Sequence, residues 1–233
     1  MKQKFSIGYK DMKIVGNVIR SSTNQNVLCI HGGGLASKSD FDKIRKILLD
    51  NNISSYAFDC IGHGESNGQI GMSSLESRLG QAMAVIKSQN LQSDPLSVIA
   101  SSMGGYAAIR LVGLYDISNL ILIAPAIYDK TAFGVAFGQK FSKIIRKQDS
   151  WLNTDAWEIV KNYTGNILIF AAENDQVIPS GVIEGIYNSA KKAKTRKVML
   201  IKNANHPLIG WLNKHPKNLY SASSEIVNLV NNK

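Results

Sequence analysis

At 233 residues, 44% of them hydrophobic and 19% charged, the chain can bury a substantial core, and one domain over 1–233 is the expectation. Its formal net charge of +10 does not signal nucleic acid: the basic clusters AKKAKTRK (190–197) and QKFSKIIRK (139–147) come with no aromatic-interleaved groove and no nucleic-acid module, and read as solvated helix faces. No apolar run, VLCI and LILIAPAI included, is long enough to cross a bilayer, and MKQKFSIGYK holds no signal-peptide core, so a cytoplasmic location is expected.

In chain order, FSIGYKDMKIVGNVIRS alternates apolar and polar residues around Lys10 and Asp11, which predicts an antiparallel hairpin at a sheet edge. Six runs rich in β-branched residues follow: VLCIHG (27–32), ISSYAFDC (53–60), LSVIASS (96–102), LILIAP (120–125), ILIFAAEN (167–174) and KVMLIKNA (197–204). They are near-continuously apolar, as strands covered on both faces of a mainly parallel sheet must be. Between them, SDFDKIRKILLDN with Ser39 or Asp40 as N-cap, SSLESRLGQAMAVIKSQ with Ser73 and Glu76 at capping-box spacing, and MGGYAAIRLVG are predicted crossover helices. Residues 126–166 break this rhythm, because the connection is far longer than an α/β crossover needs, and imply an insertion with its own helices. Cys29 and Cys60 lie in or at the end of strand runs and read as reduced core thiols.

Chemistry enters at IASSMGGYAAI, where a strand runs directly into a helix. A nucleophile placed on such a sharp, strained turn needs small residues two before and two after it. Ser102 has Ala100 and Gly104 there, whereas Ser101 would have Ile99 and Met103, so Ser102 is the predicted nucleophile. On its own the pattern equally suits a serine opening a helix, and its partners must decide.

A serine hydroxyl needs a hydrogen-bonded base, and the base needs an acid to fix its tautomer. With the nucleophile on a strand-to-helix elbow the order is Ser, then Asp or Glu, then His. Only His206 and His215 follow Ser102, which removes His31 and His63. His206 lies just beyond the last strand run and is preferred; His215, in WLNKHPKN, reads as a surface residue. The acid is Asp175, past the end of ILIFAAEN, with Glu173 as the fallback. The first parallel run ends in HGGGL (31–35), a loop whose glycines let backbone approach a reacting carbonyl, and the amides of Gly33 and Met103 are the expected oxyanion-hole donors. HGGGLAS lacks both the lysine of a P-loop and the GxGxxG spacing of a dinucleotide fold. The chemistry requires no metal and no organic cofactor.

HGGG, DCIGHGES, ASSMGG and END with NANH fall in an order that resembles the α/β-hydrolase superfamily over nearly the whole chain, and within it the small esterases and lipases grouped with monoacylglycerol lipases and serine aminopeptidases. Asp59, Gly62, His63, Gly64 and Ser66 match that group's D-x-x-G-H-G-x-S loop, which the resemblance makes architectural, leaving His63 and Glu65 without a catalytic role. Ala100, Ala172 and Asn205 depart from its pattern, and none removes a reactive group. The resemblance implies an α/β-hydrolase fold, a mostly parallel sheet with helices on both faces and a helical lid at 126–166. It further implies a serine hydrolase acting on a small-molecule acyl substrate, hydrophobic in character. The hydrophobic residues Phe133, Val135, Phe137, Trp151, Leu152 and Trp157 of that lid suit an apolar acyl group, and equally suit packing of the lid on the core. A carboxylic ester is the first expectation. Thioesterase, peptidase and acyltransferase chemistry on the same residues, or a non-catalytic ligand-binding homologue, are the alternatives.

Overall fold

The computed structural model describes residues 2–232. Strands β1 (Lys2–Tyr9) and β2 (Met12–Ile19) form the predicted antiparallel hairpin, with Lys10 at its turn in the left-handed region at φ 51°. Then come β3 (Asn26–Ile30), α1 (Asp42–Asp50), β4 (Ser54–Phe58), α2 (Leu75–Ser88), β5 (Leu96–Ser101), α3 (Met103–Leu111) and β6 (Ile117–Ile123). The long connection holds α4 (Gln139–Ile145) and α5 (Ala156–Asn162), with 3-10 turns at Lys130–Ala132 and Ser150–Leu152. The chain closes with β7 (Asn166–Ala172), α6 (Ser180–Ser189), β8 (Thr195–Ile201), α7 (Leu208–Lys214) and α8 (Pro216–Asn231).

All eight strands form one sheet in the order β1-β2-β4-β3-β5-β6-β7-β8, antiparallel through β1, β2 and β4 and parallel from β4 to β8. The chain goes from β3 to β4 on one side and then to β5 on the other. The loops leaving β3 and β5 therefore diverge, and a crevice opens at their carboxyl ends. One apolar layer packs α2, α3, α5 and α6 on one face through residues such as Leu79, Tyr106, Val160 and Ile186. The other packs α1, α7 and α8 on the opposite face through Leu48, Leu212 and Ile226. The central strands β3 to β7 are buried almost throughout, as their unbroken apolar runs require, and Cys29 and Cys60 are buried free thiols. β8 differs: as the outer strand it leaves Leu200 57% exposed and carries Arg196 and Lys197, charges that discourage a further strand from pairing.

Two helix starts also differ from the sequence reading. A 3-10 turn at Lys38–Phe41 precedes α1, and the Asp40 carboxylate accepts from the Ser37 amide, so neither Ser39 nor Asp40 caps α1 itself. The cap of α2 is Ser74, whose Oγ accepts the Ser77 amide at 3.0 Å, one residue beyond the predicted Ser73. Ser73 Oγ accepts from the Gln81 side chain instead. The long connection is tied to α3 through Asp155, which takes the Tyr106 hydroxyl at 2.8 Å and pairs with Arg110. Within it Trp151 and Trp157 meet edge to face, with ring centroids 6.1 Å apart.

Candidate active site

β5 ends at Ser101, and α3 begins at Met103. Ser102 between them sits at φ 48°, ψ −119°, a backbone region costly for any side chain and held here by its surroundings. Its amide donates to the Ile123 carbonyl and its carbonyl accepts from the amides of Gly105 and Ala126. The need for small neighbours has a more specific cause than the sequence reading supplied. A Cβ at Gly104 would come within 2.5 Å of the Ile30 carbonyl oxygen and 2.7 Å of that of His31, and one at Gly105 within 2.8 Å of Pro125. The end of β3, not Ala100, is what first excludes a side chain at 104.

Ser102 Oγ lies 2.9 Å from Nε2 of His206, and His206 Nδ1 lies 2.9 Å from Oδ2 of Asp175. The carboxylate accepts, so Nδ1 carries the proton, and Nε2 is left to accept from the serine hydroxyl. The second oxygen, Asp175 Oδ1, accepts the amides of Val177 at 2.8 Å and Ile178 at 2.9 Å, which fixes the carboxylate facing the histidine. Glu173 points elsewhere: its Oε2 accepts the Asn203 amide and ties the end of β7 to the turn after β8. His215 stacks on Trp211 at 3.6 Å and bonds the Trp211 carbonyl. The structure thus brings together Ser102, Asp175 and His206, and leaves Glu173 and His215 out.

Gly32 and Gly33 lie against the serine from the other side. A Cβ on Gly32 would be 3.3 Å from Ser102 Cβ, and one on Gly33 would be 3.2 Å from the Met103 methyl carbon. Among the described residues, the Gly33 and Met103 amides donate to no protein acceptor. His31 is bound to this loop: its Nε2 accepts the Cys60 amide at 2.9 Å, which leaves Nδ1 to donate to the Gly32 carbonyl at 2.7 Å. Burial first, and then the adjacent Arg78 cation and His63, hold its pKa well below the usual histidine range.

The D-x-x-G-H-G-x-S residues form the wall beside it. Asp59 is buried, accepts the amides of Lys38 and Glu65 at 2.8 and 2.9 Å, and pairs with the Lys38 ammonium. Burial opposes that charge, but the Asp59 and Glu65 carboxylates outweigh it and hold the Lys38 pKa above its ordinary value. Gly64, at φ 49°, leaves room for Asp59, whose Oδ2 a Cβ would approach to 2.2 Å. Ser66 donates to the Asp59 carbonyl and accepts from Val15, stitching the loop to β2.

Residues 21–154, more than half of the chain, match the family described as serine aminopeptidase, S33. The chain belongs to that family. No curated protein sequence matches it. Solved structures share its fold at low identity. Est1E from Butyrivibrio proteoclasticus, solved with ferulic acid bound, superposes with a TM-score of 0.76 at 18% identity over 97% of this chain and 99% of that one. A monoacylglycerol lipase from Paleococcus ferrophilus gives 0.74 at 17% identity, covering 93% of this chain and 98% of its own. The thioesterase domain from the curacin biosynthetic pathway gives 0.69 at 16%, covering 99% of each chain. This S33 member is a hydrolase-family protein with the α/β-hydrolase fold.

Two cavities of this S33 chain lie near Ser102 and the glycine loop after β3. One, about 480 Å³, is lined by Ser102 itself, Ile127, Tyr128, Trp151, Ile178 and Val182, with Arg146, Lys147 and Asp149 among its charged residues. The other, about 270 Å³, is lined by Gly33, Met103, Phe137, Phe141, His63 and Arg78. A larger cavity, about 600 Å³, lies at the opposite end of the strands among Asn26, Ser97, Asn119 and Asn166, away from every residue above. Of the hydrophobic residues singled out in the long connection, Trp151 and Phe137 face the two near cavities, Phe133, Val135 and Trp157 pack on the core, and Leu152 stands 57% exposed. Among the described residues no helix is long and apolar enough to cross a membrane, and no cluster of three or more His, Cys, Asp or Glu is placed to hold a metal.

Arg78, which no motif marks, is fully buried beside the glycine loop. The signal was present: Leu75, Leu79, Ala82, Val85 and Ile86 trace the apolar stripe of α2, and Arg78 lies within it.

Proposed function

We propose that this protein is a serine hydrolase that cleaves carboxylic esters. The observation that carries the reading is the unbroken chain of 2.9 Å contacts from Ser102 through His206 to Asp175, built on a strained turn at the carboxyl end of the sheet. In this reading His206 Nε2 takes the hydroxyl proton as Ser102 Oγ attacks the ester carbonyl. The Gly33 and Met103 amides receive the oxyanion, each worth about 3 kcal/mol in the transition state. His206 returns the proton to the leaving alcohol as the acyl-enzyme forms. A water then gives up a proton to His206, attacks the acyl carbon, and releases the acid with Ser102 restored.

The substrate we propose is a small apolar acyl ester. Ile127, Tyr128, Trp151 and Val182 support this, since they make a hydrophobic wall beside the nucleophile. Residues 126–166 act in this reading as the lid, because they contribute Ala126 to Tyr128 and Ile145 to Trp151 to that wall. Membership of the serine aminopeptidase family favours a second reading, cleavage of an amino-terminal residue. A free α-amine requires an anionic partner, however, and the charged lining of the Ser102 cavity is Arg146 and Lys147 against Asp149 alone, which favours the ester.

Hydrolysis of short p-nitrophenyl esters by the wild type and by Ser102→Ala tests the class, alongside aminoacyl p-nitroanilides for the second reading. Activity lost in the variant, together with a fluorophosphonate adduct on Ser102 of the folded wild type, is expected. Full activity in Ser102→Ala, or absence of the adduct, overturns it.

A further inference from the structure

Two arginines of this chain are fully buried on helices, and they are used differently. Arg45 on α1 spends its donors on Asn17 and Ser55, where β2 joins β4, and has the Asp42 carboxylate 3.8 Å away. Arg78 on α2 has no carboxylate within ion-pair distance among the described residues. Its Nη1 donates to the His31 carbonyl at 3.0 Å, and its Nη2 donates to the Gly32 carbonyl at 2.9 Å and to His63 Nε2 at 3.2 Å. Nε is buried with no partner, and the Phe137 ring lies over the guanidinium at 5.9 Å. A buried cation without a counter-ion is a poor stabiliser, since an apolar residue of like volume does as well or better there. Its placement therefore calls for another reason.

The target of its bonds supplies one. Gly32 C=O and Gly33 N–H belong to the same planar trans peptide and point in opposite directions, so holding the carbonyl fixes the direction of the amide. That carbonyl receives two donors, His31 Nδ1 and Arg78 Nη2. Both polarise the peptide so that its N–H becomes a better donor. We propose that Arg78 is the positioning residue of the oxyanion hole: it holds the Gly32 carbonyl, and thereby aims the Gly33 amide at the oxyanion, while its charge stands behind the developing negative charge. This rests on the reading of Ser102 as nucleophile. Burial and the Arg78 charge hold the pKa of both His31 and His63 below the usual histidine range, which favours the neutral form in which each ring nitrogen facing a donor can accept.

The test uses Arg78→Met and Arg78→Lys in the full chain, with Arg45→Met as the structural control. Each is assayed for kcat and KM on a p-nitrophenyl ester and for Ki of a trifluoromethyl ketone, to whose carbonyl carbon Ser102 Oγ adds as its proton passes to His206, leaving an oxyanion in the hole. If Arg78 positions the hole, kcat falls about tenfold or more in Arg78→Met, with KM within about threefold, and Ki for the ketone rises in step with the loss of kcat/KM. Arg78→Lys, which keeps the charge but cannot reach both carbonyls, recovers only part. Arg45→Met lowers the melting temperature and leaves kcat and Ki unchanged. If Arg78→Met does not fold, Arg78→Lys decides by the same measurements. A folded Arg78 variant with wild-type kcat, or one whose KM rises while the ketone Ki stays put, overturns the assignment and leaves the Ser102 reading intact. A wild type inert to both ester and fluorophosphonate overturns the Ser102 reading itself.

Discussion

Replacing Asp175 by asparagine isolates what the acid contributes, because the two orientations of the new amide differ sharply in cost. With its oxygen kept on the amides of Val177 and Ile178, now 2.8 and 2.9 Å from Asp175 Oδ1, the asparagine NH₂ faces His206 Nδ1. Turned the other way, it would leave two backbone donors facing an NH₂, at about 1–3 kcal/mol each. The first orientation wins. It forces Nδ1 to accept, moves the ring proton to Nε2, and sets a donor against Ser102 Oγ, so the base is lost although every atom stays near its place. The expected fall in kcat is about 10⁴, or roughly 5.5 kcal/mol of barrier, with KM little changed and the melting temperature within a few degrees of wild type. Glu173→Gln, at the fallback acid, keeps an acceptor for the Asn203 amide and is expected to retain kcat within about twofold. Steady-state kinetics on a p-nitrophenyl ester, with thermal melts of both variants, decides the matter. An Asp175→Asn enzyme that keeps a tenth of wild-type kcat refutes the reasoning, as does a Glu173→Gln enzyme that loses activity to the same degree.

Gly64→Ala places a side chain at φ 49° and 2.2 Å from the Asp59 carboxylate, displacing it from Lys38 and the Glu65 amide; a loss of about 3 kcal/mol or more is expected, seen as a fall of roughly 6–12 °C in melting temperature. The depressed His31 pKa makes stability pH-dependent. The unfolded ring titrates near about 6.5, so below that pH the unfolded chain binds a proton that the native ring, held neutral by burial and by Arg78, His63 and Lys38 nearby, does not. Its contribution is present above about pH 6.5 and is lost as pH falls, by up to about 1.4 kcal/mol per unit. Urea melts between pH 7 and 5 are expected to show a smaller slope for His31→Asn than for wild type, and equal slopes sink the idea. Burial pushes the Cys29 thiol up to about 12 and raises Cys60 as well, so a thiol reagent at pH 8 is expected to leave the native protein unlabelled and to modify both cysteines in urea.

The strands were legible because burial on both faces leaves an unbroken apolar run, as in Val27 to Ile30 or Ile167 to Phe170. The runs overshot the strands at their carboxyl ends, at His31, Ser102 and Glu173, where the chain has already left the ladder for the loops at that edge of the sheet. Sterics alone separate Ser102 from Ser101, though the clash that selects Gly104 comes from β3, a neighbour that only strand order reveals. The choice between Asp175 and Glu173 rests on which carboxylate meets which backbone amide, Val177 and Ile178 or Asn203, and pattern does not encode that. The caps of α1 and α2 slipped by one or more residues because serines crowd both starts, and several of them fit the spacing equally.

Ser102 stands between two polar chains that are anchored in the same way. On one side the amides of Val177 and Ile178 fix Asp175, Asp175 fixes the proton on His206 Nδ1, and Nε2 is thereby left to accept. On the other the amide of Cys60 fixes His31 Nε2 as an acceptor, the opposite nitrogen becomes the donor to Gly32, and Arg78 completes the hold on the peptide that presents the Gly33 amide. In each chain a group that cannot change its role, the Asp175 carboxylate on one side and the Cys60 N–H on the other, sets the tautomer of a histidine, and the histidine passes that choice on towards the serine. A ring nitrogen that could otherwise donate or accept is so committed before any substrate arrives, and no reorientation is needed as charge develops. The two histidines are not interchangeable, because one ends on a hydroxyl and the other on a carbonyl. His206 can therefore move a proton in the proposed reaction, whereas His31, with both nitrogens committed to backbone, can only hold the loop that receives the charge.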